Sequence, residues 1–208
     1  MRICEIFRSI QGEGLQMGLP TVFVRAVGCN LRCSWCDTGY SFEGGTEMTL
    51  DEIVSQVGDC PRVCLTGGEP LIQPEMPELI SRFLDAGKQL DIETNGSVDL
   101  SVVPDDPDIL ISMDIKCPSS GMNDRMLLSN VDRLGPRDQL KFVIADDGDL
   151  DYAVDFVKAR RPNTNVIFGP VGGTDRMQRL VERVLVEGID VRVLPQLHKI
   201  IWGSKTGV

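Results

Sequence analysis

One histidine, no long apolar run and no cluster of basic residues occur in this chain. Each of these lacks removes a class of function. The longest apolar stretches, such as residues 108–115, fall far short of the roughly 20 residues a membrane-spanning helix needs. The residues after Met1 (Arg2, Ile3, Cys4, Glu5) lack the apolar run of a secretory signal, so a soluble, cytoplasmic protein is expected. The formal charge is -10, from 21 basic and 31 acidic residues. Such a surface repels phosphate backbones, and nucleic acid is not an expected direct partner. Repeats and low-complexity tracts are also missing, and the 12 prolines and 21 glycines are dispersed rather than gathered in a linker. The seven cysteines are odd in number, and a reducing compartment disfavours a disulfide framework. They are core filler or ligands. With 42% hydrophobic and 25% charged residues, the chain reads as one domain over residues 1–208.

What is present is an alternation of strands and helices. Residues 3–7, 21–27, 63–66, 89–93, 109–114, 140–145, 165–168 and 191–194 have strand character. Helices are expected over 49–57, where Thr49 and Glu52 form a capping box, and over 77–86, 149–160 and 174–187. A less regular helix is expected over 122–134. This pattern implies an α/β fold with a mostly parallel sheet, because parallel neighbours need crossover connections. About six units are too few for a closed eight-stranded barrel, so a partial, open β/α barrel is expected. Its strand-end loops would gather residues 29–38, 66–70, 94–96 and Lys116 around one mouth.

The segment Cys29-Asn30-Leu31-Arg32-Cys33-Ser34-Trp35-Cys36-Asp37-Thr38 carries the chemistry. Three thiols within eight residues can converge on one centre, and the polar residues between them do not suit a core strand. Zinc normally takes four protein ligands, and the one histidine, His198, is remote in sequence. Most four-iron clusters are also held by four cysteines. Three would leave one iron open to a small molecule. Two other patterns carry less. Cys60 and Cys64 repeat the first spacing, but Pro61 intervenes and Cys64 lies in an apolar strand. Gly12-Glu13-Gly14 lacks the third glycine of a dinucleotide loop, and Pro20 interrupts any following helix. Cys4 and Cys117 read as structural.

The three-then-two cysteine spacing, with an aromatic before the last cysteine, resembles the radical S-adenosylmethionine (SAM) superfamily. Thr66-Gly67-Gly68-Glu69-Pro70 resembles that superfamily's Gly-Gly-Glu-Pro element. More narrowly, Glu5-Ile6-Phe7-Arg8-Ser9-Ile10-Gln11-Gly12-Glu13-Gly14, Phe23-Val24-Arg25, Cys36-Asp37-Thr38 and Gln196-Leu197-His198-Lys199-Ile200-Ile201-Trp202-Gly203 resemble the 7-carboxy-7-deazaguanine synthase family. Ile10 stands where that family usually has leucine.

The resemblance implies a 4Fe-4S cluster on Cys29, Cys33 and Cys36, with SAM chelating the open iron and cleaved on reduction to a 5′-deoxyadenosyl radical. It implies SAM contacts at Trp35, Cys36, Asp37, Gly68, Glu69, Gly96, Asp114, Ile115 and Lys116. Substrate contacts are implied at Ile10, Gln11, Gly12, Arg25, Thr94 and the terminal carboxylate of Val208, and a Mg2+ ligand at Thr38. No single catalytic acid or base is implied. The implied reaction is a lyase ring contraction of 6-carboxy-5,6,7,8-tetrahydropterin to 7-carboxy-7-deazaguanine with loss of ammonia, in which SAM is used catalytically and regenerated. That product feeds the biosynthesis of queuosine- or archaeosine-type tRNA nucleosides. A homodimer and an electron donor such as flavodoxin or ferredoxin are further expectations. Two rivals stand beside this reading, a glycyl-radical-activating enzyme and a non-catalytic iron–sulfur or zinc module. The first leaves Gln11–Gly14 and Arg25 unexplained, and the second has no need of Gly67–Pro70 or Glu93–Gly96.

Overall fold

In the computed structural model, which describes every residue except Gly173, one sheet organises the chain. Its elements are β1 (Arg2–Ile10), β2 (Pro20–Ala26), β3 (Thr46–Glu47), α1 (Leu50–Val57), β4 (Arg62–Gly67), α2 (Met76–Asp85) and β5 (Gln89–Thr94). There follow β6 (Ile109–Ile115), β7 (Gln139–Ile144), α3 (Asp147–Arg160), β8 (Asn165–Pro170), α4 (Met177–Glu187), β9 (Arg192–Val193) and α5 (Leu197–Trp202). The strand order is β3-β1-β2-β4-β5-β6-β7-β8-β9. From β2 and β4 onward every neighbouring pair is parallel, whereas β1 runs antiparallel to both β2 and β3. The outer strands β3 and β9 do not pair with each other. The sheet is mostly parallel and open.

Alternation along the strands decides which face is which, since successive side chains point to opposite sides. Val63 and Leu65 of β4, Leu90 and Ile92 of β5, Met113 and Ile115 of β6, and Leu140 and Phe142 of β7 enter one apolar core. Ile53 of α1, Leu79, Ile80 and Phe83 of α2, and Ala153 and Val154 of α3 meet them there. Phe83 is wholly buried, and truncating such an aromatic to alanine costs about 3–5 kcal/mol. The intervening residues are polar: Thr66, Asp91 and Glu93, Ser112 and Asp114, Gln139 and Lys141. They face the inside of the curved sheet.

The capping box of α1 forms as its sequence predicts, with Glu52 N–H donating to Thr49 Oγ1 and Thr49 N–H to Glu52. Helix α3 begins earlier than expected because Asp146, not a later residue, caps it. Helix α4 begins later, at Met177. Residues 122–134 are not a helix but two short 3-10 turns. The reason is Asn130, whose side chain donates to the Gly96 and Val98 carbonyls and accepts from Leu100 N–H. That amide binds the strand-end loop instead of continuing a helix. The β5–β6 connection likewise holds only a 3-10 turn. Of the six crossovers, those before β6 and β7 therefore lack an α-helix. No helix among the described residues is long and apolar enough to cross a membrane.

Candidate radical and substrate site

The C-terminal ends of the parallel strands open into one cavity of about 970 Å³. Cys29, Cys33, Trp35, Cys36, Asp37 and Thr38 form one wall, with Gly68, Asp114 and Lys116. Ile10, Gln11, Gly12, Arg25, Thr94 and Val208 line the same space. Three expected residues stand behind the wall: Glu69, Gly96 and Ile115. The Ile115 side chain belongs to the apolar core. Gly96, at φ +74, lets the chain pass Met126 and the Asp114 carbonyl.

The cysteine loop is held by its neighbours rather than by secondary structure. Ser34 N–H and Oγ donate to the Ser120 and Ser119 carbonyls, and Trp35 Nε1 donates to Ser119 Oγ at 2.9 Å. From β4, Glu69 N–H donates to the Gly28 carbonyl at 2.9 Å. A Cβ on Gly68 would lie 2.1 Å from that same carbonyl oxygen and 2.5 Å from Cys29 Cβ. The glycine pair thus lets a strand end press onto the loop that carries the thiols. Among the described residues, Cys29, Cys33 and Cys36 do not gather their sulfurs within 4.8 Å of one another. A single tetrahedral zinc, with bonds of about 2.3 Å, would draw them to about 4 Å. Three cysteines on one cavity wall are a donor set that fits an iron–sulfur cluster with one iron left open. Burial raises the Cys33 thiol, and the Lys116 ammonium opposes that shift.

Glu69 is completely buried. Its carboxylate accepts from Leu71 N–H, Thr94 Oγ1 and Asn95 N–H. Burial still raises it to about 7 against those bonds. It braces the ends of β4 and β5 against each other, directly behind Gly68.

Across the cavity runs a chain of alternating charge. Lys116 donates to Asp114 at 2.6 Å, Lys141 lies 3.6 Å from Asp114 and 2.9 Å from Glu13, and Gln196 donates to Glu13 at 2.7 Å. Burial would raise Glu13, but the charge and hydrogen bond of Lys141, with Gln196, hold it at about 2. Burial pulls Lys141 down, and Glu13 and Asp114 outweigh it and raise the ammonium well above its usual range. On the β2 side, Arg25 Nε donates to Glu5 at 2.8 Å, and Tyr40 donates to the same oxygen. Arg25 lies over the Phe7 and Tyr40 rings. Nε is its only hydrogen-bonded nitrogen among the described residues, so its terminal amino groups are unspent.

Motif reading misses Glu13, Asp91, Asp114's partner Lys141, Ser112 and Gln139 as site residues. For the four of these that lie in strands, the available signal is the period-2 placement of polar side chains inside otherwise apolar parallel strands, which normally read as continuous apolar runs. Cys60, Cys64 and Cys117 are buried thiols, as expected, and Cys4 is half-buried. Helix α5, unforeseen as a helix, closes the cavity: Leu197 N–H donates to Gly12 O, and Lys199 to Asp37 at 2.7 Å.

Comparison with known proteins agrees with this geometry. The model of the Radical SAM superfamily matches residues 23–119. The chain is 45% identical over 210 residues to the 7-carboxy-7-deazaguanine synthase of Thermoplasma acidophilum, covering 100% of both. It is 44% identical to that of Methanospirillum hungatei, covering 97% of this chain and 85% of the relative, and 39% identical to that of Koribacter versatilis, covering 99% of each. The crystal structure of QueE from Escherichia coli shares the fold, with a TM-score of 0.76 at 23% identity over 95% of this chain and 94% of that one. Relatives that align from end to end, together with three cysteines on one cavity wall, place the chain in the 7-carboxy-7-deazaguanine synthase family of radical SAM enzymes.

Proposed function

We propose that this enzyme converts 6-carboxy-5,6,7,8-tetrahydropterin to 7-carboxy-7-deazaguanine and ammonia, in deazapurine nucleoside biosynthesis. The observation that carries the reading is that one cavity joins the cysteine loop to Arg25, Gln11 and Lys141. A reduced four-iron cluster with SAM on its open iron supplies, when bound, a radical able to abstract hydrogen. The protein's residues do the rest. Cys29, Cys33 and Cys36 hold the cluster, while Gly68, Trp35, Asp37, Asp114 and Lys116 surround SAM, braced by Glu69, Gly96 and Ile115. The free amino groups of Arg25 can grip the substrate carboxylate bidentately. Ile10, Gln11, Gly12 and Thr94 offer amide and hydroxyl partners to the pterin ring, and Val208 lines the same space. Closure by α5 keeps water from a reactive intermediate.

Thr38 is a further part of the proposal as the one side-chain ligand of Mg2+, an ion that takes oxygen ligands and retains waters. Thr38 Oγ1 lies 3.6 Å from Cys36 Sγ, so an ion there would sit beside the cluster. The reading includes a cytoplasmic enzyme, a flavodoxin or ferredoxin as electron donor, and a homodimer. Exposed Leu185 and Val186 on α4 and Ile200 and Ile201 on α5 support a buried interface. Anaerobic incubation of the reduced enzyme with SAM, Mg2+ and the pterin should release the deazaguanine and ammonia in equal amounts. SAM cleavage without either product would overturn the reading.

A further inference from the structure

Beneath the cavity floor lies a buried group that the proposed reaction does not use. Asp91 is 2% exposed and lies on the same face of β5 as Glu93. Its Oδ2 accepts from Gln11 Nε2 at 2.6 Å, while its Oδ1 is buried with no partner among the described residues. The same Gln11 nitrogen reaches Glu93 Oε1 at 3.3 Å and Cys64 Sγ at 3.7 Å. On its other side, Gln11 Oε1 accepts from Glu13 N–H at 3.2 Å.

One atom each of Cys64, Asp91 and Glu93 lies within 4.8 Å of the others, close enough to hold a cation. The Gln11 amino group donates into that space, however, and a donor cannot share it with a cation. Asp91 is buried and Glu93 half-buried beside it, so the neighbouring carboxylate works against a charge on Asp91. Arg25, Lys141 and Glu13 face the pair from β2, β7 and the loop after β1, and none forms an ion pair with Asp91. Burial and the neighbouring Glu93 raise Asp91 to about 7. Oδ2 is the oxygen that Gln11 engages, and it accepts that bond both in the carboxylate and in the acid protonated on the unpartnered Oδ1.

A glutamine amide has nearly the same shape either way round, so its neighbours choose its orientation. Acceptors at Asp91, Glu93 and Cys64 force nitrogen inward. The remaining lone pairs of Gln11 Oε1 and the Glu93 carboxylate then form an acceptor edge on the cavity floor. A 2-amino-4-oxopyrimidine ring carries an amino group and a ring N–H side by side, a donor edge that matches it.

We propose that Asp91 is a positioning residue acting through Gln11: its acceptor oxygen fixes the amide, and the fixed amide makes the cavity select the donor edge of a 2-aminopyrimidinone. This rests on the pterin reading above. The test measures the Kd of carboxytetrahydropterin on unreduced, cluster- and SAM-loaded protein. Asp91→Leu, which removes the acceptor, should weaken binding about tenfold, and Asp91→Asn, which keeps it, should stay within about twofold of the parent. In a Gln11→Ala background, Asp91→Leu should change Kd less than about twofold. Asp91→Ala serves the same comparison where the leucine variant does not fold. Equal weakening in both backgrounds would overturn the proposal. So would damage by Asp91→Asn equal to that by Asp91→Leu, or a stoichiometric metal ion lost only on removing Asp91. Because the cycle is read as binding, a parent that binds the pterin without converting it would sink the functional reading alone.

Discussion

Gly12 and His198 pack so closely that a Cβ on Gly12 would lie 2.1 Å from His198 Nδ1 and 3.1 Å from His198 Cβ. The clash runs from the ring through Cγ at 2.8 Å to Cβ, so the imidazole must leave its place and the backbone that carries it must also give. Gly12→Ala should therefore push α5 off the cavity, breaking the Leu197–Gly12 bond and loosening Gln196 from Glu13. The expected result is a KM for the pterin raised about tenfold or more, with iron content unchanged, because the bonds that hold Gly28, Ser34 and Trp35 come from elements other than α5. Steady-state kinetics and iron analysis on the same samples check it.

Gly68→Ala should act on the other half of the site. Its Cβ would strike the Gly28 carbonyl, which is backbone and cannot swing aside. Overpacking of this kind costs about 1–3 kcal/mol. It would also move Cys29, so iron retained after reconstitution should fall along with the melting temperature.

The buried ion pair between Lys141 and Glu13 predicts an asymmetry. Lys141→Met leaves Glu13 and Asp114 without their shared cation and should cost about 3–5 kcal/mol. Adding Glu13→Gln should recover part of that loss, although the double variant retains no charge at either position. Urea unfolding of the single and double variants measures both effects.

Asp91 predicts a pH dependence of stability. Its ordinary value is 3.8, and burial followed by Glu93 raises it to about 7 in the fold, with Lys141 and Gln11 opposing. Between those values the folded chain keeps a proton that the unfolded chain releases, so stability falls as pH rises, by up to about 1.4 kcal/mol per unit. Asp91→Asn cannot titrate. It should gain on the parent from about pH 4 to about pH 7, and the difference should level off above that. Urea unfolding across this range reads the sign directly.

How far the sequence carried these conclusions differs from element to element. The capping box at Thr49, the strand ends at Gly67 and Thr94, and the thiol loop were legible because each depends on local chemistry. The antiparallel course of β1 was not, since strand direction depends on which partner the chain meets. The expected helix at 122–134 failed because one distant interaction, Asn130 with the 96–100 loop, outweighs local propensity. Lys141 and Asp91 stayed hidden for a related reason. Lys141 lies in a strand far from any motif, and Asp91 sits just before a strand end whose loop drew attention instead. Only the assembled sheet puts Lys141 in the cavity wall and Asp91 beneath its floor.

The most direct test of the central claim is the mass spectrum of SAM recovered after turnover of a ring-deuterated carboxytetrahydropterin. The account predicts deuterium at the 5′ carbon of intact SAM and more product formed than SAM consumed. Deuterium confined to 5′-deoxyadenosine, with one SAM consumed per product or no deazaguanine at all, would contradict it.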